Sequence, residues 1–295
     1  MTNTMSHLYD LSDYDALIEA LKSSQESGDK QKEGATLNDI SQLYKVSGDY
    51  ESALRYLSDA LKIAQDMSDN QGIAATLNNI SQIFHATGDY ESALVYLTDA
   101  LKISQDIDDK QGEWATLNNI SQIYQVKGDY DTALRYLADA LKISQAIGDK
   151  EGISVTLNNL ATIAHAKGDD DTALQYLEQD LSIAQEIGDK QGLGATLNNI
   201  SQIYDAQGDY ASALRYLADS LKIRQDTGNK AGECTTLFNI GHTFWKKNMQ
   251  DEALSTWLSA YNIANSIGYA QVLQALDQLA KDLGYEGLAY WKTLS

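Results

Sequence analysis

The chain has 295 residues, 43% of them apolar and none of them proline, and a formal charge of −20 from 42 acidic against 22 basic side chains. That balance repels the phosphates of nucleic acid and an anionic membrane surface, and no window approaches the ~20 apolar residues of a membrane span. The lone Cys234 excludes an internal disulfide, and the start MTNTMSHLYD has neither the basic nor the apolar run of a signal peptide, so the expected setting is cytoplasmic.

Residues 1–30 carry one expected helix, Leu11 to Ser27, whose DALIEALKSSQ aligns with the second half of the units that follow. It is expected to cap the N-terminal end. A 40-residue unit then recurs over 31–70, 71–110, 111–150, 151–190, 191–230 and 231–270. The first half of each unit reads ATLNDISQL from Ala35, ATLNNISQI from Ala75, Ala115 and Ala195, VTLNNLATI from Val155 and TTLFNIGHT from Thr235. The second half reads GDYESALRYL, GDYESALVYL, GDYDTALRYL, GDDDTALQYL, GDYASALRYL and finally NMQDEALSTW.

In the unit 111–150, Leu117, Ile120, Ser121 and Tyr124 fall within one arc of about 100° at the helical step, a core-facing stripe. Gly128 is suited to stop this helix in a left-handed conformation, and Asp129 to cap the next. Ala133, Leu134, Leu137, Ala140 and Leu141 form the apolar stripe of the second helix, and Gly148 and Asp149 repeat the stop and cap. Each unit is therefore an antiparallel helical hairpin. One hairpin cannot bury both faces of its helices, so neighbours must stack.

The unit 151–190 departs from the pattern: Ala164 replaces the Tyr124-type aromatic, Asp170 replaces Tyr130, and Asp180 replaces the small Ala140. Thinner packing is expected, and a hinge, a pocket and neutral variation are all open. In 271–295, Ala275, Leu276, Leu279, Ala280 and Leu283 share a face and read as a closing cap, followed by an aromatic tail with Tyr285, Tyr290 and Trp291.

The spacing of Leu117, Ser121, Tyr124, Gly128 to Tyr130, Ala133 and Ala140 resembles the tetratricopeptide repeat (TPR) signature, over nearly the whole chain. The unit is longer than the usual 34 residues and is similar to the 40-residue class of cell-polarity adaptors and bacterial TPR regulators. It departs from the signature in having Leu117 where tryptophan is usual and no closing proline. The resemblance implies an all-α, right-handed superhelical solenoid whose first helices line a concave groove. It also implies an asparagine ladder that binds the backbone of an extended peptide, which matches Asn79, Asn119, Asn159, Asn199 and Asn239, with Asp39 in the first unit.

Helix geometry adds Asn118, Gln122 and Gln125 to the arc beside the ladder, with Gln82 and Gln202 in equivalent places. Amides both donate and accept, which suits a peptide backbone of any sequence. Capping and bridging between helices would explain the same residues. Two columns vary between otherwise near-identical units: Lys45, His85, Gln125, His165, Asp205 and Trp245, and a second that contains Trp114. Partner preference and neutral drift both account for such variation.

No HExxH, paired CxxC, GxxxxGK[ST] or GxSxG motif occurs in the chain. The four histidines are His7, His85, His165 and His242. His85 and His165, two units apart, should lie on the order of 20 Å from one another, since packed helices are ~8–10 Å apart; they cannot share a metal. No catalytic residue, metal or cofactor is expected. The leading expectation is a scaffold that binds a neutral or basic peptide or protein segment. A homo-oligomer assembled through solenoid ends or the convex face, and a peptide-sensing signalling receptor, stay open beside it.

Overall fold

The computed structural model describes residues 11–294, which form helices and turns and no strand. The helices are α1 (Leu11–Ser27), α2 (Lys30–Ser47), α3 (Tyr50–Met67), α4 (Asn70–Ala86), α5 (Tyr90–Asp106), α6 (Lys110–Val126), α7 (Tyr130–Ile147) and α8 (Lys150–Ala166). There follow α9 (Asp170–Ile187), α10 (Lys190–Ala206), α11 (Tyr210–Asp226), α12 (Lys230–Lys246), α13 (Gln250–Ile267), α14 (Ala270–Asp282) and α15 (Leu288–Leu294). His7 lies outside the described residues.

The glycine and aspartate of each turn act as the sequence implies. Gly128 sits at φ 77° and donates to Gln125 O at 3.0 Å, while Asp129 N reaches back to Tyr124 O at 2.9 Å. These bonds satisfy carbonyls that the end of α6 leaves unpaired. Asp129 Oδ1 then accepts from Thr132 N at 3.1 Å and starts α7, and Asp149 does the same for Gly152 N at 2.9 Å. Ser68 and Asp108, where other units have glycine, also adopt positive φ, 55° and 56°. A Cβ in that region costs roughly 1–2 kcal/mol. Ser68→Gly and Asp108→Gly are each expected to raise stability by about 0.5–1.5 kcal/mol, since glycine's greater freedom when unfolded offsets part of the relief; urea unfolding midpoints measure it.

The chain divides into two compact units at Asn159 and Leu160, inside α8. In the first unit, α4 rests against both α2 and α6, so the first helices of successive hairpins touch directly. Core layers form where the second helix of one hairpin meets the first helix of the next. Ala53 and Leu57 pack on Ile80 and Ile83, and Ala93 and Leu97 on Ile120 and Ile123. The rings of Tyr44 and Tyr56, Phe84 and Tyr96, and Tyr124 and Tyr136 stack with centroids 5.3, 5.3 and 5.7 Å apart. These offset pairs join the two helices of each hairpin.

The second unit keeps the same stack at Tyr204 and Tyr216, 5.5 Å apart. In the fourth repeat Ala164 leaves that aromatic place empty of a ring, and polar contacts stand beside it. His165 Nδ1 meets Asp170 Oδ1 at 2.6 Å, and Asp170 Oδ2 accepts from Gln207 Nε2 at 3.1 Å. Asp180 is fully buried and accepts from the Thr196 hydroxyl. The carboxyl group is thus hydrogen-bonded in place, as burial of a polar group demands.

The C-terminal core centres on Trp257, fully buried, with its Nε1 donating to Phe238 O at 3.0 Å. Its ring meets those of His242, Trp245 and Trp291 at 5.2, 5.7 and 6.3 Å. Leu276 and Ala280, two of the residues expected on the buried face of α14, are fully buried with it. The tail docks on α14 through Trp291, which is fully buried and donates to Leu276 O at 2.8 Å. Tyr285, 46% exposed, stacks on Tyr290 at 3.8 Å. Among the described residues no helix is long and apolar enough to cross a membrane.

Candidate functional site

Two adjacent positions of the first helices, both asparagine in α4, α6, α8 and α10, form a network that links hairpins within each compact unit. The inner one is Asn38, Asn78, Asn118, Asn158 or Asn198, and the sixth unit has Phe238 instead. Asn78 is almost fully buried and its Nδ2 donates to Ala74 O at 3.2 Å and to Thr116 Oγ1, in the next hairpin, at 2.8 Å. Asn38 bonds Gly34 O at 3.0 Å and Thr76 Oγ1 at 3.1 Å, and Asn118 bonds Trp114 O at 3.1 Å and Thr156 Oγ1 at 3.4 Å. A backbone carbonyl can only accept, so the amide must turn its nitrogen toward it and its oxygen the other way.

That oxygen receives the outer asparagine of the following unit. Asn79 Nδ2 donates to Asn38 Oδ1 at 2.8 Å, Asn119 to Asn78 at 3.1 Å, Asn159 to Asn118 at 3.1 Å and Asn239 to Asn198 at 3.0 Å. The outer asparagines are half-buried. Each of these four spends one N–H inward, which leaves the second N–H and the lone pairs of Oδ1 as its remaining bonding capacity. The set is pre-oriented by groups that are themselves fixed.

Asn118 is a correction: expected on the groove face, it is 3% exposed and buried like Asn78, whereas Asn38, Asn158 and Asn198 of the inner column are half-buried. Trp114 is another. Its indole lies between hairpins, with Nε1 donating to Thr156 Oγ1 at 2.9 Å. Gln122 and Gln202 are exposed, whereas Gln82 Oε1 accepts from Lys45 Nζ at 2.6 Å.

Most of the variable column is engaged within the protein. Asp205 accepts from Thr243 Oγ1 at 3.0 Å and pairs with Lys246, and Trp245 packs on Trp257. His165 holds Asp170, and this hydrogen bond, aided by Gln207 and opposed by burial, keeps the Asp170 carboxyl below its ordinary range. Gln125 is half-buried. Burial lowers the Lys45 ammonium. Cys234 is fully buried, with its thiol pushed up to about 11 by that burial, which suppresses the reactive thiolate. Among the described residues no group of three or more His, Cys, Asp or Glu is placed to hold a metal.

His85 and His242 are held below the ordinary histidine value by burial, and for His242 also by the nearby ammonium of Lys246, against Asp205. The stability each contributes is complete above the unfolded value of ~6.5 and is lost as pH falls through the lower folded value. The capping carboxyls of Asp89, Asp129 and Asp209, lowered chiefly by Ser or Thr hydroxyls, act only below ~3.9. Stability is therefore expected to fall in two stages on acidification. The double variant His85→Gln, His242→Gln should lose the first stage, read as the change in urea midpoint between mildly alkaline and mildly acidic buffer.

The inner asparagine column and the threonines it bonds were not singled out from sequence as a structural pair. The signal was present: the recurring TLN spacing places a polar amide between Leu117 and Ile120, both core residues.

The tetratricopeptide repeat profile matches residues 35–106, 115–186, 156–226 and 192–266. No curated protein matches by sequence. Among solved structures, BtubC (BKLC) from P. vanneervenii is similar at 22% identity and a TM-score of 0.61, over 76% of this chain and 92% of that one. A Rap protein complexed with competence and sporulation factor is similar at 14% identity and 0.68, over 96% and 94%. Aspartyl phosphate phosphatase F from Bacillus subtilis is similar at 14% and 0.67, over 86% and 65%. At these identities the structures establish the fold alone. The repeated profile, the paired helices and their shared core layers together place this chain in the tetratricopeptide repeat family.

Proposed function

We propose that the protein is a scaffold that binds an extended peptide segment of another protein along its first helices, through the outer asparagines Asn79, Asn119, Asn159, Asn199 and Asn239. The observation that carries this reading is the orientation of the outer amides by the inner column, from Asn79 on Asn38 to Asn159 on Asn118. A pre-oriented amide loses little entropy when a ligand arrives. First helices in contact lie ~8–10 Å apart, about the rise of three residues of extended chain at ~3.3 Å each. Every third residue of a chain with the threefold polyproline II repeat would then meet one asparagine, which donates to its carbonyl. At about 0.5–1.5 kcal/mol net per bond, the ladder supplies a few kcal/mol and side-chain contacts supply the rest. The charge of −20 favours a basic or neutral partner. The similar Rap protein is itself complexed with a factor.

The triple variant Asn119→Ala, Asn159→Ala, Asn199→Ala tests the ladder. Helicity by circular dichroism should be unchanged, while capture of a library of extended peptides falls by roughly tenfold or more, the loss of about 1.4 kcal/mol or more. Equal capture by wild type and variant would remove the ladder from the binding surface.

A further inference from the structure

We infer that the slot beside Gly34 is a receptor pocket for a tryptophan side chain of the bound peptide. The inference rests on the peptide-binding reading above and adds the side-chain chemistry that a backbone ladder lacks.

The third repeat supplies the template. Trp114 projects from α6 into the gap before α8, its ring 3.1 Å from where a Cβ on Gly152 would lie, and its Nε1 bonds Thr156 Oγ1 at 2.9 Å. Moved back two units, the same positions are Gly34, Gly72 and Thr76. All three line a cavity of about 410 Å³, floored by Ile63 and bordered by Met67 and Asn79. The indole is missing there, and the volume lies within the ~300–1,000 Å³ usual for ligand pockets.

The acceptor is preserved as well. Thr156 Oγ1 donates to Gly152 O at 2.8 Å and accepts from Asn118 Nδ2, yet still takes the indole N–H. Thr76 Oγ1 donates to Gly72 O at 2.8 Å and accepts from Asn38 Nδ2 at 3.1 Å, the same arrangement with its second lone pair left over. Phenylalanine would fill the slot without meeting that lone pair.

The protein closes the corresponding place in its other units. Ala74, Ser154 and Cys234 are 2%, 4% and 0% exposed. Gly194 is buried because Arg224 lies over it, with Nε 3.0 Å from the place of a Cβ. Gly34 alone in this column is neither buried nor a filler. Asn79, a ladder residue, borders the cavity, so a peptide backbone on the ladder passes its mouth.

The full chain is titrated with N-acetyl-tryptophanamide, with N-acetyl-leucinamide and with the capped peptide Ala-Ala-Trp-Ala-Ala, followed by amide chemical shifts. Shifts centred on Gly34, Gly72 and Thr76, and a preference for tryptophan over leucine, are expected. A Cβ at Gly34 meets only Ile63 Cγ2, at 3.6 Å, so Gly34→Trp is accommodated and fills the slot with its own indole. That variant should lose probe binding by roughly tenfold or more. Thr76→Val, which keeps the shape and drops the acceptor, should weaken it severalfold, and Trp114→Gly should open a second site and double the stoichiometry.

The triple asparagine variant should still bind N-acetyl-tryptophanamide, which separates failure of the pocket from failure of the ladder. Unchanged binding in Gly34→Trp, or shifts centred elsewhere, would overturn the assignment. A pentapeptide that binds no more tightly than N-acetyl-tryptophanamide would also overturn it, because the slot would then be a small-molecule site.

Discussion

Trp257→Ala is expected to destabilise the C-terminal unit by about 3–5 kcal/mol, the range for removing a fully buried large aromatic from a core that cannot collapse around the void. The side chain is fully buried, its Nε1 is bonded to Phe238 O, and three aromatic rings surround it. The other units have Leu57, Leu97, Leu137, Leu177 and Leu217 at this position, paired with Ser41, Ser81, Ser121, Ala161 and Ser201. Here the partner is Gly241, where a Cβ would lie 2.3 Å from the indole nitrogen. A larger residue on one helix has therefore required the smallest on the other, and Gly241→Ala should be nearly as harmful. Because repeats couple mainly to their neighbours, hydrogen exchange should quicken in α12 to α15 and stay unchanged in α2 to α5. Uniform loss of protection along the chain would contradict that locality.

Asn118→Ala is expected to cost about 1–3 kcal/mol, the penalty for leaving buried polar groups without partners. The substitution removes the donor to Thr156 Oγ1 and the acceptor for Asn159 Nδ2 at 3.1 Å. Asn119→Ala, in the half-buried outer column, should cost less. In a double-mutant cycle, Asn118 and Asn159 should couple by about 0.5–1.5 kcal/mol. The same cycle read by peptide capture tests the orienting role: Asn118→Ala should weaken binding although no peptide reaches it. Additive effects in both measurements would leave the inner column with a packing role alone.

Much of the fold was legible because its signals are local. The Gly128 and Asp129 turn, the stripe of Leu117, Ile120 and Ser121, and the small Ala133 and Ala140 each follow from helix geometry and capping, and each takes that role in the structure. The candidate site was legible only in part. The two asparagines of LNN differ by about 100° around the helix axis. Sequence placed both Asn118 and Asn119 toward the groove, whereas packing against the next hairpin buried the first and left the second half-buried.

The sequence by itself determined the period, the hairpin, its caps and the family, since these depend on contacts within a few residues or on copies of one pattern. Only the tertiary structure decided which amide of Asn118 and Asn119 is buried, that Trp114 and Arg224 close gaps between helices, and that the gap at Gly34 stays open. The physical reason is that these outcomes depend on how closely and at what angle one helix lies on another. A rotation of a fraction of a turn, invisible in the repeat pattern, exchanges a buried side chain for an exposed one.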